Sequence, residues 1–164
     1  MAEGSALSFF GKLRALDLPT ADYAIFGSGP LAVRGLIEEV HDLDVVARGT
    51  AWEQAKGLGE VRTAPEGDPV VWLEGGAIEV FGGWLGWDID MLIDNAEVID
   101  GLPFARLEDV LAFKLSLGGE LRFVSPAAIR TYIVGAMSTR EGCLLVSIRR
   151  WTTGPSHRAQ NSST

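Results

Sequence analysis

Apolar residues along the first part of the chain follow two different periods. In the first segment an apolar residue stands at every third position, which predicts an amphipathic helix over residues 5–16. Its apolar residues are Leu7, Phe10, Leu13 and Leu16. The segments DYAIF (22–26) and DLDVVA (42–47) are short and mainly apolar, which is typical of strands. Between them, a segment with Pro30 at its first position predicts a helix over residues 30–40.

The middle of the chain combines a short helix, a loop and a hairpin. TAWEQAKGL (50–58) is predicted to be helical, and the turn-rich GEVRTAPEGD (59–68) is predicted to be a mobile loop. VVWL (70–73) and AIEVF (77–81) are two strand-like segments joined by Glu-Gly-Gly, which predicts a β-hairpin.

The remaining pattern is helical. Helices are predicted over DIDMLIDNAEV (88–98), over RLEDVLAFKLSLG (106–118) and after the Ser-Pro pair at 125–126. The whole order indicates an α/β (α+β) fold, with a small mixed sheet flanked by helices and a helical C-terminal end. We expect residues 1–118 to form the main domain, 119–151 a helical extension of it, and 152–164 a flexible tail.

Composition and charge restrict the classes of function. Hydrophobic residues make up 47% of the chain and charged residues 22%, enough apolar material for a folded core. The net charge of −8 repels nucleic acid unless bound cations reverse it locally. Cys143 is the single cysteine, which excludes an internal disulfide and a cysteine-based zinc cluster. With no signal-peptide pattern and no long apolar run, we expect a cytoplasmic protein without a membrane partner.

Two aspartates in the second strand are the first candidates for chemistry. Residues i and i+2 of a strand point to the same face, so Asp42 and Asp44 project together. Glu79 lies on the second strand of the hairpin and joins them if that strand pairs beside DLDVVA. Three clustered carboxylates repel one another, and Mg²⁺ is a cation that carboxylate oxygens prefer. The alternative is that these acids face solvent on half-exposed strands.

The glycine-rich turn FGSGP allows two interpretations. Gly27 permits close backbone approach to a ligand, while Ser28 and the N–H groups at the following helix start can donate to phosphate oxygens. Together with the acidic cluster, the turn would hold a nucleoside triphosphate and two metal ions. The segment GSGPLA also fits the G-x-G-x-x-A pattern of FAD- and NAD-binding folds, although the acids that follow come early for that motif.

At these residues the chain resembles the nucleotidyltransferase superfamily that includes DNA polymerase beta, particularly its minimal and AbiEii-like bacterial branches. The resemblance covers about residues 20–118 and consists of the Gly27-Ser28 turn, the Asp42-x-Asp44 strand, Glu79 on a later strand, and the helix that carries Lys114. Two departures are visible. The third carboxylate is Glu rather than Asp, and the Arg-x-Lys-Asp stretch expected after the Lys114 helix is replaced by LGGELRFVSP.

The resemblance implies an Mg²⁺-dependent enzyme that moves a nucleoside monophosphate from a nucleoside triphosphate to an acceptor. Asp42, Asp44 and Glu79 would be the catalytic residues and would bind two Mg²⁺ ions, while Gly27, Ser28 and Lys114 would bind the nucleotide. The acceptor is a small molecule, an RNA or a protein, and a toxin-like activity held by an antitoxin-type partner follows from the AbiEii-like branch. A degenerate member that binds nucleotide or protein without turnover is the alternative.

Overall fold

A computed structural model describes residues 5–116 of the chain. It therefore covers nearly all of the predicted main domain. The helix predicted after residue 125, the extension 119–151 and the tail 152–164 lie outside the described residues. None of the helices in the described part has the length and apolar character needed to cross a membrane.

A seven-stranded mixed sheet forms the centre of the described region, with the strand order β3-β4-β5-β2-β1-β7-β6. Its strands are β1 (Tyr23–Ile25), β2 (Leu43–Ala47), β3 (Val61–Thr63), β4 (Pro69–Leu73), β5 (Ile78–Phe81), β6 (Glu97–Ile99) and β7 (Leu102–Phe104). β2 runs parallel to β5, and β1 runs parallel to β7. All other neighbouring strands are antiparallel.

Five α-helices lie within the described residues, and four of them cover the two faces of the sheet. The five helices are α1 (Ala6–Ala15), α2 (Gly29–Ala32), α3 (Gly49–Leu58), α4 (Ile89–Asp94) and α5 (Leu107–Ser116). α1 and α3 bury apolar side chains against one face, in a core that includes Phe10, Ala51 and Val45. α4 and α5 cover the opposite face, where Leu92 and Phe113 pack in a second core. The sheet is thus buried on both sides, as the mixed α/β pattern predicts.

Strand alternation separates the side chains of β2 between these two cores. Leu43 and Val45 are fully buried in the core under α1 and α3, and Val46 is buried in the core under α4 and α5. Asp44 therefore projects on the same face as Val46, toward the α5 side. This orientation fixes the face of the sheet on which the candidate chemistry lies.

Two of the predicted helices are shorter than expected. The helix predicted over residues 30–40 ends at Ala32, and Gly35 then takes a positive φ of 68°, which L side chains rarely adopt. The helix predicted over residues 88–98 ends at Asp94, and Glu97–Ile99 form the edge strand β6. The predicted start of this second helix is correct, because the Asp88 carboxylate accepts a hydrogen bond from the Met91 N–H as its N-cap.

Three strands are absent from the predicted element order. The predicted mobile loop 59–68 contains β3, which pairs with β4 at the edge of the sheet. β6 and β7 form a second hairpin in a segment that was predicted to be partly helical and partly irregular. The hairpin of β4 and β5 is confirmed, with Trp72 opposite Glu79.

The strand directions exclude the dinucleotide interpretation of GSGPLA. A dinucleotide-binding fold places this motif between two parallel strands of a doubly wound sheet. Here β1 and β2, which flank the motif, pair antiparallel, with Ala24 opposite Val46. The segment GSGPLA therefore does not lie in a dinucleotide-binding fold of this type.

Candidate functional site

The candidate carboxylates lie next to one another on adjacent parallel strands. Asp44 is the direct partner of Glu79 in the pairing of β2 with β5. Asp42 immediately precedes β2, two residues before Asp44. Neighbouring strands are about 4.8 Å apart, so side chains of paired residues on one face are in close contact range. The structure thus brings together the three acids that the sequence proposed.

The turn after β1 lies directly against this acidic cluster. The Phe26 N–H donates to the Asp44 carbonyl oxygen at 2.8 Å, which fixes the end of β1 beside β2. Gly27 has a φ of 59°, and a Cβ added there would lie 2.1 Å from Asp44 Oδ2. A side chain at position 27 would therefore occupy the space of the Asp44 carboxylate.

The turn also presents hydrogen-bond donors to the same cleft. Within residues 5–116 the backbone N–H groups of Gly27 and Ser28 have no acceptor, and the Ser28 hydroxyl makes no capping bond to α2. Both residues line the cleft that contains the three acids. α2 has only four residues, so a long helix dipole does not contribute here. Any anion binding at this turn depends on the individual N–H groups and the hydroxyl.

Burial and nearby negative charges raise the pKa values of Asp44 and Glu79. Burial, followed by the negative charges of Asp42 and Glu79, raises the pKa of Asp44 to about 7, while Lys114 acts in the opposite direction. The pKa of Glu79 is also raised, first by burial and then by the charges of Asp42 and Glu66. The negative charges of neighbouring acids thus add to burial in disfavouring the ionised forms of Asp44 and Glu79.

Lys114 supplies a positive charge to the cleft from α5. It lies on α5, next to Phe113, which packs against Phe26 and Trp84 in the core. Burial lowers the pKa of Lys114, and the charge of Asp44 partly offsets this effect. α5 thus holds the ammonium group close enough to Asp44 for their charges to interact.

The cleft has a volume of about 950 Å³ and contains all six predicted site residues. The cleft is also lined by charged residues that were not predicted from the sequence, namely Glu39, Arg62, Glu66 and Asp68. Arg62, Glu66 and Asp68 lie in the segment that was predicted to be a mobile loop. The short alternating segment Val61–Thr63 before the turn APEGD was the signal for an edge strand that would place them here.

The donor atoms of Asp42, Asp44 and Glu79 determine which metal ion the site could bind. Carboxylate oxygens are the ligands that Mg²⁺ prefers, and a divalent cation would offset the burial and the repulsion that together raise the pKa of Asp44. In their present positions, no three His, Cys, Asp or Glu side chains of residues 5–116 have the spacing of ligands to one ion. The residues fit Mg²⁺ by charge and donor type, and their side chains must move to reach it.

Comparison with known proteins supports the fold. No protein-family model matches the chain, and no curated protein matches it. The mixed sheet flanked by helices matches a nucleotidyltransferase-like fold. A similar crystal structure is described as that of "a putative nucleotidyltransferase" from Thermotoga maritima, with a TM-score of 0.52, 18% identity, and coverage of 81% of this chain and 92% of that chain.

Proposed function

We propose that this protein is an Mg²⁺-dependent nucleotidyltransferase that moves a nucleoside monophosphate from a nucleoside triphosphate to an acceptor hydroxyl. One observation carries the proposal. Asp44 and Glu79 are pairing partners that lie side by side on adjacent strands. Asp42 is close to them, and the Gly27-Ser28 turn lies directly against Asp44. This combination places cation ligands and anion donors in one cleft, which is what a metal-bound triphosphate requires.

Asp42, Asp44 and Glu79 would hold two Mg²⁺ ions. When bound, the ions supply positive charge for the triphosphate and the developing transition-state charge, and lower the pKa of the acceptor hydroxyl. The raised pKa of Asp44 supports this assignment. Burial and neighbouring negative charges disfavour the ionised carboxylate, and a bound cation would favour it. The resemblance to nucleotidyltransferases supports the number of ions.

The other groups of the site bind and orient the reactants. The Gly27 and Ser28 N–H groups and the Ser28 hydroxyl donate to phosphate oxygens, and Lys114 adds a positive charge from α5. The acceptor oxygen bonds to the α-phosphorus, the bond from that phosphorus to the β-phosphate oxygen breaks, and pyrophosphate leaves. The hydroxyl proton passes to solvent water, because Asp42, Asp44 and Glu79 would all be engaged as metal ligands.

A second candidate function is nucleotide binding without turnover. It is favoured by the spacing of the acids, because no three potential ligands within residues 5–116 are placed to hold one ion. The AbiEii-like branch, the toxin-like activity and the antitoxin-type partner remain predictions from the sequence resemblance.

The proposed function is tested by nucleotide binding followed by turnover. We expect ATP or GTP to bind with Mg²⁺ at least about tenfold more tightly than with EDTA, as measured by calorimetry, and pyrophosphate to be released in the presence of an acceptor mixture. The Glu53→Gln variant is a control for the loss of one negative charge away from the cleft. Glu53 lies on α3, which covers the face of the sheet opposite the acidic cluster. Mg²⁺-dependent binding without pyrophosphate release would establish the second candidate instead. Mg²⁺-independent binding without pyrophosphate release would contradict the metal-dependent transfer but not nucleotide binding without turnover.

Substitution of Gly27 tests the contact between the turn and Asp44. We expect Gly27→Ala to weaken MgATP binding by about tenfold or more, because the new Cβ displaces the Asp44 carboxylate. Gly35→Ala is the control: Gly35 has a similar φ of 68°, but a Cβ there meets nothing within 4 Å. Both variants carry a backbone strain of about 1 kcal/mol, measurable by urea unfolding. Equal loss of nucleotide affinity in the two variants would show that strain alone is responsible.

A further inference from the structure

An exposed tryptophan stands beside the acidic cluster on the same face of the sheet. Trp72 on β4 is the pairing partner of Glu79, which in turn pairs with Asp44. The three residues form a row across three neighbouring strands. Trp72 remains 46% exposed and lines the cleft. With strands about 4.8 Å apart, Trp72 lies about 10 Å from Asp44, on the side away from the Gly27-Ser28 turn.

Arg62 holds the Trp72 ring in a defined orientation. The guanidinium carbon of Arg62 lies 4.6 Å from the ring centroid, a cation–π geometry, and Arg62 also forms an ion pair with Glu60 at 3.6 Å. Arg62 is opposite Val70 in the pairing of β3 with β4, so it projects on the same face as Trp72. The guanidinium is stacked over the Trp72 ring, and both side chains line the cleft; we call this pair the Trp72–Arg62 platform.

We propose that the Trp72–Arg62 platform binds the acceptor, and that the acceptor is a small ring-bearing alcohol that is uncharged or cationic. This inference rests on the proposed function. In-line displacement requires the acceptor oxygen to approach from the side opposite the leaving pyrophosphate. With the terminal phosphates at Gly27 and Ser28, that side is the one beyond Glu79, where Trp72 lies.

The charged side chains that line the cleft indicate which chemical class of acceptor can bind there. Its acidic lining residues outnumber Arg62 and Lys114, and they are Glu39, Asp42, Asp44, Glu66, Asp68 and Glu79. The negative charge of Glu66 adds to burial and Asp42 in raising the pKa of Glu79. Glu66 thus extends the negative charge of the cluster toward the side where the acceptor would bind. With a chain charge of −8, this lining repels a polyanion. A large indole surface instead favours the face of an apolar or cationic ring.

The test uses small sugars as probes and the tryptophan indole N–H signals as the readout. The full chain has five tryptophans, and Trp72→Phe identifies the Trp72 signal in a ¹H–¹⁵N spectrum. In the presence of Mg²⁺ and α,β-methylene-ATP, which cannot release pyrophosphate, glucosamine and glucose are titrated, with glucose 6-phosphate as the anionic counterpart. We expect glucosamine to shift the Trp72 signal and to bind about tenfold more tightly than glucose 6-phosphate.

Variants separate the platform from other surfaces of the cleft. Trp72→Ala is expected to weaken glucosamine binding about tenfold, whereas Trp72→Phe retains most of it. Leu85→Ala is the control, because Leu85 is another exposed apolar residue of the cleft. The inference is overturned if neither sugar binds, if Trp72→Ala has no effect, or if glucose 6-phosphate or a short single-stranded RNA binds more tightly than glucosamine. Failure of α,β-methylene-ATP to bind would instead contradict the proposed function, and the same titration without nucleotide would still test the platform.

Discussion

Asp44→Asn is expected to lower the rate of nucleotidyl transfer by about three orders of magnitude. Asparagine keeps the size and shape of the side chain but removes the negative charge at the centre of the cluster, between Asp42 and Glu79. A group that holds ions acting on the transition state typically contributes on the order of 3–4 kcal/mol to catalysis. We therefore expect kcat to fall while the variant remains folded. Pyrophosphate release and Mn²⁺ binding, measured on the same sample, check this result.

Asp88→Asn is the matched control for Asp44→Asn. Asp88 begins a second Asp-x-Asp pattern, but its carboxylate caps α4, where asparagine caps equally well. The same chemical change should therefore leave both transfer and Mn²⁺ binding unchanged. If Asp88→Asn and Asp44→Asn reduced the rate equally, the loss would reflect net charge. If Asp44→Asn retained full activity, the metal assignment would be wrong.

The central part of the fold could be predicted because its local signals agree with its tertiary environment. Strand β2 has an alternation in which Leu43 and Val45 are apolar and Asp44 is polar, and the sheet buries the first two and leaves Asp44 in the cleft. The β4 and β5 hairpin was predictable from two apolar segments around Glu-Gly-Gly. The face of Asp44 and Glu79 follows from this alternation, but their adjacency depends on the pairing of β2 with β5, which sequence reasoning could only assume.

The missed strands have weak local signals and depend on distant partners. β6 contains Val98, which is 72% exposed at the edge of the sheet, and its sequence continues a helical pattern from α4. β7 has three residues, including Pro103, and it becomes a strand because it pairs with β1, far away in sequence. Contacts of this kind override local propensity. For the same reason the Trp72–Arg62 platform could not be predicted, since it requires β3 to pair with β4.

The metal-free protein is expected to become less stable as pH rises from about 4 to about 7. The pKa of Asp44 is raised in the folded state from 3.8 to about 7, so between these values the folded protein holds a proton that the unfolded chain releases. Stability therefore decreases across this interval and is lowest, with respect to Asp44, above pH 7. A shift of this size corresponds to a penalty on the order of a few kcal/mol.

Urea unfolding in EDTA at pH 5 and pH 8 measures this effect, and Asp44→Asn isolates it from the other acids of the chain. The free energy of unfolding of the native protein should fall more between the two pH values than that of Asp44→Asn, which should be the more stable protein at pH 8. Millimolar Mg²⁺ should then stabilise the native protein at pH 8 and have little effect on the variant, because the ion binds the ionised cluster. The loss of stability at high pH and its reversal by Mg²⁺ have the same cause, which is the negative charge of Asp44 enclosed beside Gly27 and Glu79. A native protein with the same pH dependence as Asp44→Asn, and no response to Mg²⁺, would show that the Asp44 carboxylate is not confined in this way.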